Sequence, residues 1–149
     1  MLDAWVANQG RHHENWGALS DDDLRLAPTF DHGASLARNL TDEERQDRLT
    51  SRDRNRRIEA FARRARSAFY SGVPDAKPLG TIEAFLEFAG LAVSAARIWL
   101  HRLSDIDRSA IVGILDEIPS QRMTETAKGF TLDLLMTNQK RLLEKLTKL

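Results

Sequence analysis

From Thr41 onward the apolar residues recur at helical spacing, and this restricts the bulk of the chain to a helical fold. The clearest run is Ile58, Phe61, Ala62, Ala65, Ala68 and Phe69, at i, i+3, i+4, i+7, i+10 and i+11. It predicts one amphipathic helix with Arg56, Arg57, Arg63, Arg64 and Arg66 on its outer face. Upstream, Thr41-Asp42-Glu43-Glu44 reads as a capping box, T-x-x-E, opening a helix toward Thr50.

Downstream, Ser71 to Gly80 carries Pro74, Pro78 and two glycines and reads as a loop. Thr81, with Glu83 in the first turn, caps the next helix. From Ile82 to Leu103 apolar residues occupy nearly every side, including Phe85, Phe88, Leu91, Ile98, Trp99 and Leu100. A helix apolar all round is expected at the centre of the core, with Trp99 inside and Gly90 marking a kink or break. Ser104-Asp105-Ile106-Asp107 starts a further helix that runs to Pro119. Ser120 opens the last, with Leu132, Leu135, Met136, Leu142, Leu143, Leu146 and Leu149 apolar and Lys140, Lys145 and Lys148 at its negative end.

The front of the chain differs. Leu2, Trp5 and Val6 give Met1 to Asn8 the look of the last turns of a helix, and no cap precedes Leu2, so an upstream segment is expected. Trp16 to Leu19 and Leu24 to Ala27 are short apolar pieces separated by Ser20-Asp21-Asp22-Asp23, the pattern of a two-stranded ribbon closed by Pro28. The expected fold is mainly α, with a short two-stranded β ribbon near the N-terminus. It forms one domain over residues 1–149, a polar segment 8–36 followed by a helical body 37–149.

Composition narrows the function classes. The chain has no cysteine, which excludes disulfides and thiolate chemistry and fits a reducing cytoplasm. No apolar run is long enough for a membrane span, and the N-terminus lacks a signal-like pattern, so a cytoplasmic location without membrane contact is expected. Twenty-two basic and 22 acidic residues cancel, so no global field draws the chain to nucleic acid. The balance is uneven, however: residues 1–35 hold two basic and six acidic groups, and residues 36–70 hold ten and six. The arginine-rich stretch is read as a solvated helix face, and direct nucleic-acid binding is not expected.

Groups capable of chemistry concentrate in Asn8-Gln9-Gly10-Arg11-His12-His13-Glu14-Asn15-Trp16-Gly17 and Leu26-Ala27-Pro28-Thr29-Phe30-Asp31-His32-Gly33. A phosphoryl-transfer site needs a carboxylate to orient the nucleophile, then an Asn and an Asp to hold Mg²⁺ on the phosphates; protein kinases supply these as D-x-x-x-x-N and, across a short ribbon, D-x-G. Asn15 and Asp31-His32-Gly33 occupy the last two positions, but five residues before Asn15 stands Gly10.

These two segments resemble the C-terminal lobe of HipA-like serine/threonine kinases, the toxin half of certain bacterial toxin–antitoxin pairs. The family's loop reads N-x-D-R-H-x-x-N, and the match covers roughly the first 36 residues, with the helical remainder agreeing in kind. The resemblance implies that Asn15 and Asp31 are magnesium ligands, that His12 and Phe30 lie near the nucleotide, and that Gly10, Arg11 and His12 form the catalytic loop. Gly10 then stands where the catalytic aspartate belongs and offers no carboxylate. The family's N-lobe is also missing from these 149 residues, which hold no Gly-rich loop and no β3-type lysine. ATP and Mg²⁺ are therefore the implied cofactors, with weak binding by this chain alone. An N-lobe in trans or an antitoxin protein is the implied partner, and a pseudokinase scaffold is the competing reading.

Several blander readings compete at individual residues. His12-His13-Glu14 does not match the spacing of zinc sites, and neighbours in sequence rarely converge on one ion. Asp21-Asp22-Asp23 is expected to solvate a hairpin tip, and the closing leucines to pack in a core rather than a coiled coil. Trp5 and Trp16 flank the polar segment, and an exposed apolar patch is expected beside it.

Overall fold

A computed structural model describes residues 1–74 and 76–146. Among them are seven α-helices: α1 (Leu2–Trp5), α2 (Asp42–Thr50), α3 (Ile58–Arg64), α4 (Thr81–Leu91), α5 (Val93–Ser104), α6 (Arg108–Asp116) and α7 (Glu125–Leu143). Two short strands, β1 (Ala18–Ser20) and β2 (Leu24–Leu26), pair antiparallel with Leu19 opposite Arg25. The expected mainly helical chain with a small ribbon near its start is what the structure contains. Leu149 and Lys148 lie outside the described residues.

The central helix is α7, not the more apolar segment before it. It packs against α1, α2, α3, α5 and α6. Its Phe130, Leu134 and Leu142 are fully buried and reach two of the three apolar clusters, and Leu132 and Leu135 form part of the third. Each such side chain contributes about 1.5–3 kcal/mol by leaving water. Polar residues of α7 are buried too, and they act as bolts. Gln139 Nε2 donates to the carbonyls of Leu103 and Ile106 at 2.8 and 2.6 Å, tying down the end of α5. Asn138 Nδ2 donates to Trp5 O at 3.0 Å, and Trp5 Nε1 returns a bond to Leu135 O at 3.1 Å. α1 is thus fixed to α7 from both sides, although it is only four residues long.

The expected helix over Ile82 to Leu103 is two. The break falls at Ala92, whose φ of −148° and ψ of 61° leave the helical region, and not at Gly90. Beyond it α5 buries Ala96, Leu100 and Leu103, one stripe at helical spacing, and turns Ile98 and Trp99 outward. Trp99 is 49% exposed, with the Arg102 guanidinium stacked 4.8 Å from its ring, so it does not belong to the core.

The expected helix from Ile58 to Phe69 stops at Arg64. Ser67 is the cause: its Oγ accepts from Phe69 N–H at 3.1 Å and donates to Leu79 O at 2.9 Å, which favours an extended chain over a helix. Ser67 N–H also bonds Leu79 O and Leu79 N–H bonds Phe69 O, both at 2.8 Å, pairing this segment with the approach to α4. The capping box at Thr41 forms in both halves, Thr41 Oγ accepting from Glu44 N–H and Glu44 Oε2 from Thr41 N–H. Elsewhere the helix starts move: Gly80 rather than Thr81 takes the cap position of α4, with Glu83 accepting its N–H at 2.7 Å, and Asp107 and Thr124 cap α6 and α7.

Candidate functional site

Behind α1 the chain turns sharply. Ala7 takes a left-handed φ of 52°, which places Asn8, 1% exposed, beneath the polar segment. Asn8 Nδ2 donates to Asp3 Oδ1 at 2.7 Å, and its Oδ1 accepts from Gly10 N–H at 3.0 Å. Both ends of this amide are therefore committed to holding the turn that carries Gly10.

Arg11 is the hub. It is 6% exposed, and its guanidinium meets the Asp3 carboxylate in a two-pronged pair, Nε to Oδ2 and Nη2 to Oδ1, each 2.9 Å. On the other side Nη1 donates to the carbonyls of Asn15 and Phe30, the second at 2.9 Å. Two carbonyls on one nitrogen bring residues 15 and 30 together, so the loop holding Asn15 and the loop holding Asp31 are tied at one atom. Nη2 also donates to His32 Nδ1 at 3.2 Å; the ring then carries its proton on Nε2, which faces Thr29 Oγ1 at 3.1 Å. Burial draws the Asp3 carboxyl upward, but bonds from Arg11 and Asn8 and the Arg11 charge outweigh it and leave its pKa lowered.

Asn15, in the 3-10 turn His13–Asn15, is buried with its amide oriented. Its Nδ2 donates to Gly10 O at 2.7 Å and lies 3.2 Å from His12 Nε2. Oδ1 is left without a hydrogen bond among the described residues. His12 Nδ1 accepts from Glu14 N–H at 3.4 Å, with Glu14 Oε2 3.7 Å away. Asp31 is exposed, takes a left-handed φ of 48° and has no ion-pair partner among the described residues. Phe30 is exposed next to it.

An amide oxygen and an exposed carboxylate, whose Oδ1 accepts from Gly33 N–H at 3.4 Å, are hard oxygen donors on loops tied at one point, the kind Mg²⁺ takes alongside water and phosphate oxygens. In donor chemistry the two residues suit that ion. Among the described residues no group of three or more His, Asp or Glu gathers to hold a metal, so the His12-His13-Glu14 zinc reading gains nothing.

Gly10 is not a glycine by backbone necessity, since no glycine in the described chain has a positive φ. A Cβ there would meet Ala34 Cβ at 3.1 Å, Asn8 Oδ1 at 3.5 Å and Asn15 Nδ2 at 3.9 Å. An aspartate would fit if Ala34 gave way by a few tenths of an ångström. The positive φ values fall instead on Asp31, within the site, and on Ala7, Leu36 and Ala37 beside it. Strain of about 1–2 kcal/mol per residue is thereby concentrated in this one region.

The ribbon beyond Asn15 is exposed along both strands. Leu24 is 78% and Leu26 66% exposed, with Trp16, Leu19 and Phe30 open beside them. The expected apolar patch is present at Trp16 and the ribbon. Trp5 is not part of it, being packed into the core.

Asn8, Gly10, Arg11, His12, Asn15 and His32 are tied into one hydrogen-bond network, which Phe30 joins through its carbonyl. Sequence reasoning missed Asp3, the carboxylate on which Arg11 depends. The signal was available: Asp3 is the only acidic residue before Glu14, and a buried arginine needs one. Comparison with protein-family models, curated proteins and solved structures finds no match to this chain.

Proposed function

We propose that the chain is the C-terminal lobe of a HipA-like serine/threonine kinase, keeping the magnesium half of the site at Asn15 and Asp31 without the base. The observation that carries the reading is the Arg11 guanidinium holding the Asn15 and Phe30 carbonyls together, because it joins the two motif segments that the resemblance pairs. In this reading Mg²⁺ and ATP are the cofactors, and the bound ion would neutralise charge on the phosphate oxygens. Asn15 Oδ1 and the Asp31 carboxylate would hold the ion, with His12 and Phe30 on the nucleotide side.

At Gly10 there is no carboxylate to accept or orient the proton of a substrate hydroxyl. These 149 residues are therefore expected to transfer no phosphate by themselves. The test is transfer from labelled ATP by the purified chain. Background-level transfer is expected; transfer that Asp31→Ala abolishes would overturn the reading.

A second reading, a pseudokinase scaffold for an antitoxin or another subunit, is favoured by the exposed apolar ribbon of Leu19, Leu24 and Leu26. A supplied N-lobe separates the two. Transfer recovered only with Gly10→Asp favours a kinase lacking its base; stable association with no transfer from either form favours the scaffold. No helix among the described residues is long and apolar enough to cross a membrane.

A further inference from the structure

Residues 48–64 carry seven arginines, two acids and no lysine, in a chain whose total charge is zero. The helical periodicity would place Arg56, Arg57, Arg63 and Arg64 on one helix face, but the structure spreads the seven over the end of α2, an irregular loop and α3. Arg56 is neutralised by Asp47, at 2.9 and 3.2 Å. Arg48, Arg52, Arg54, Arg57, Arg63 and Arg64 have no ion-pair partner among the described residues. Arg57 and Arg64 bond only to the carbonyls of Ser51 and Asn55.

Arg48 is the unusual member. It is part-buried, held 4.7 Å from the Phe61 ring centroid, and its Nε is buried with no hydrogen-bond partner. A buried donor left unmade is costly, and a guanidinium stacked on an aromatic ring is fixed in place to receive an anion. With Arg52 and Arg57 it lines a cleft of about 300 Å³, whose rim also includes Glu59 and Asp133, the latter paired with Arg108 at 3.6 Å. Arg141 on α7 extends the cationic face: burial first, then the nearby Arg63 charge, lowers its pKa.

We propose that this arginine face binds the phosphodiester backbone of nucleic acid, with the Arg48 cleft seating one phosphate. Two features select that ligand. Guanidinium groups, rather than the ammonium groups that would serve for solubility alone, match phosphate oxygens in pairs. The face also lacks apolar anchors: no large hydrophobic residue between Asp31 and Phe69 is strongly exposed, whereas a protein interface is built on such residues. Backbone binding needs none and is independent of sequence.

The test is fluorescence anisotropy of a labelled duplex of about 20 base pairs against the intact chain in a salt series starting near 50 mM. Binding is expected with log K falling linearly in log salt, at a slope of roughly −4 to −5. Arg52→Gln/Arg54→Gln/Arg63→Gln removes three exposed side chains that make no hydrogen bond among the described residues, so folding should be unchanged by circular dichroism. It should weaken binding by at least about tenfold near 0.1 M salt and flatten the slope by about three. Arg48→Leu should weaken binding in the same assay, and Arg97→Gln, on α5, should not. No binding at the lowest salt, an unchanged slope in the triple variant, or equal affinity for polyglutamate of matched charge would each overturn the proposal.

Discussion

Arg11 and Asp3 meet through two parallel bonds of 2.9 Å, and this pair is the point at which the site is fastened to the fold. Asp3 belongs to α1, α1 is bolted to α7 through Trp5 and Asn138, and Arg11 carries the attachment on to Asn15 and Phe30. The loops are irregular, yet their positions are inherited from the central helix.

The pair predicts an acid-sensitive site. The Asp3 pKa is lowered in the folded chain, so its contribution to stability is complete above the ordinary aspartate value and is lost as pH falls through the lower folded value. Asp3→Asn should cost about 1–3 kcal/mol at neutral pH and flatten the loss of stability below about pH 4, measured by urea melts across pH. An unchanged acid limb would mean that the pair carries no linkage.

Asn15 and Asp31 should separate cleanly in stability. Asn15→Ala strips the donor from Gly10 O inside a buried network and should destabilise by about 1–3 kcal/mol. Asp31→Asn, at an exposed position in a conformation that suits Asn, should stay within about 0.5 kcal/mol. Thermal denaturation of the two variants decides it, and equal losses would contradict the placing of Asn15 inward and Asp31 outward.

At position 10 an aspartate should be tolerated. Its only tight neighbour is Ala34 Cβ at 3.1 Å, which predicts a loss of about 1–2 kcal/mol. Gly10→Asp combined with Ala34→Gly should recover most of any loss that comes from this contact. Failure of the double variant to recover, in the same thermal assay, would place the obstacle in the backbone instead.

The sequence made local features legible and left global ones hidden. The Thr41 capping box, the ribbon and the polar loops depend on neighbours in the chain, and the structure has them. The centre of the fold does not: Ile82–Leu103 is more apolar than α7, yet α7 is central because its polar Asn138 and Gln139 find carbonyls of α1 and of the α5 terminus. No periodicity announces that, and none announces Ala92 as the break or Trp99 as a surface residue. At the site, residue spacing placed Asn15 and Asp31 on separate loops, but the guanidinium that joins them is a contact across 19 residues.

The ribbon should behave as a surface. Leu24→Lys/Leu26→Lys should change stability by less than about 0.5 kcal/mol, because both side chains already face water. Binding of a hydrophobic dye should fall if the patch accounts for it. A large loss of stability would show that the ribbon packs on the body of the domain.

The central claim is that Asn15 and Asp31 together form a divalent-cation half-site, and paramagnetic broadening by Mn²⁺ in amide spectra of the labelled chain tests it directly. The expected result is broadening centred on the loops around Asn15 and Asp31, competed by Mg²⁺ and lost in Asp31→Asn. Broadening centred on Asp21-Asp22-Asp23, or an undiminished response in Asp31→Asn, would contradict it.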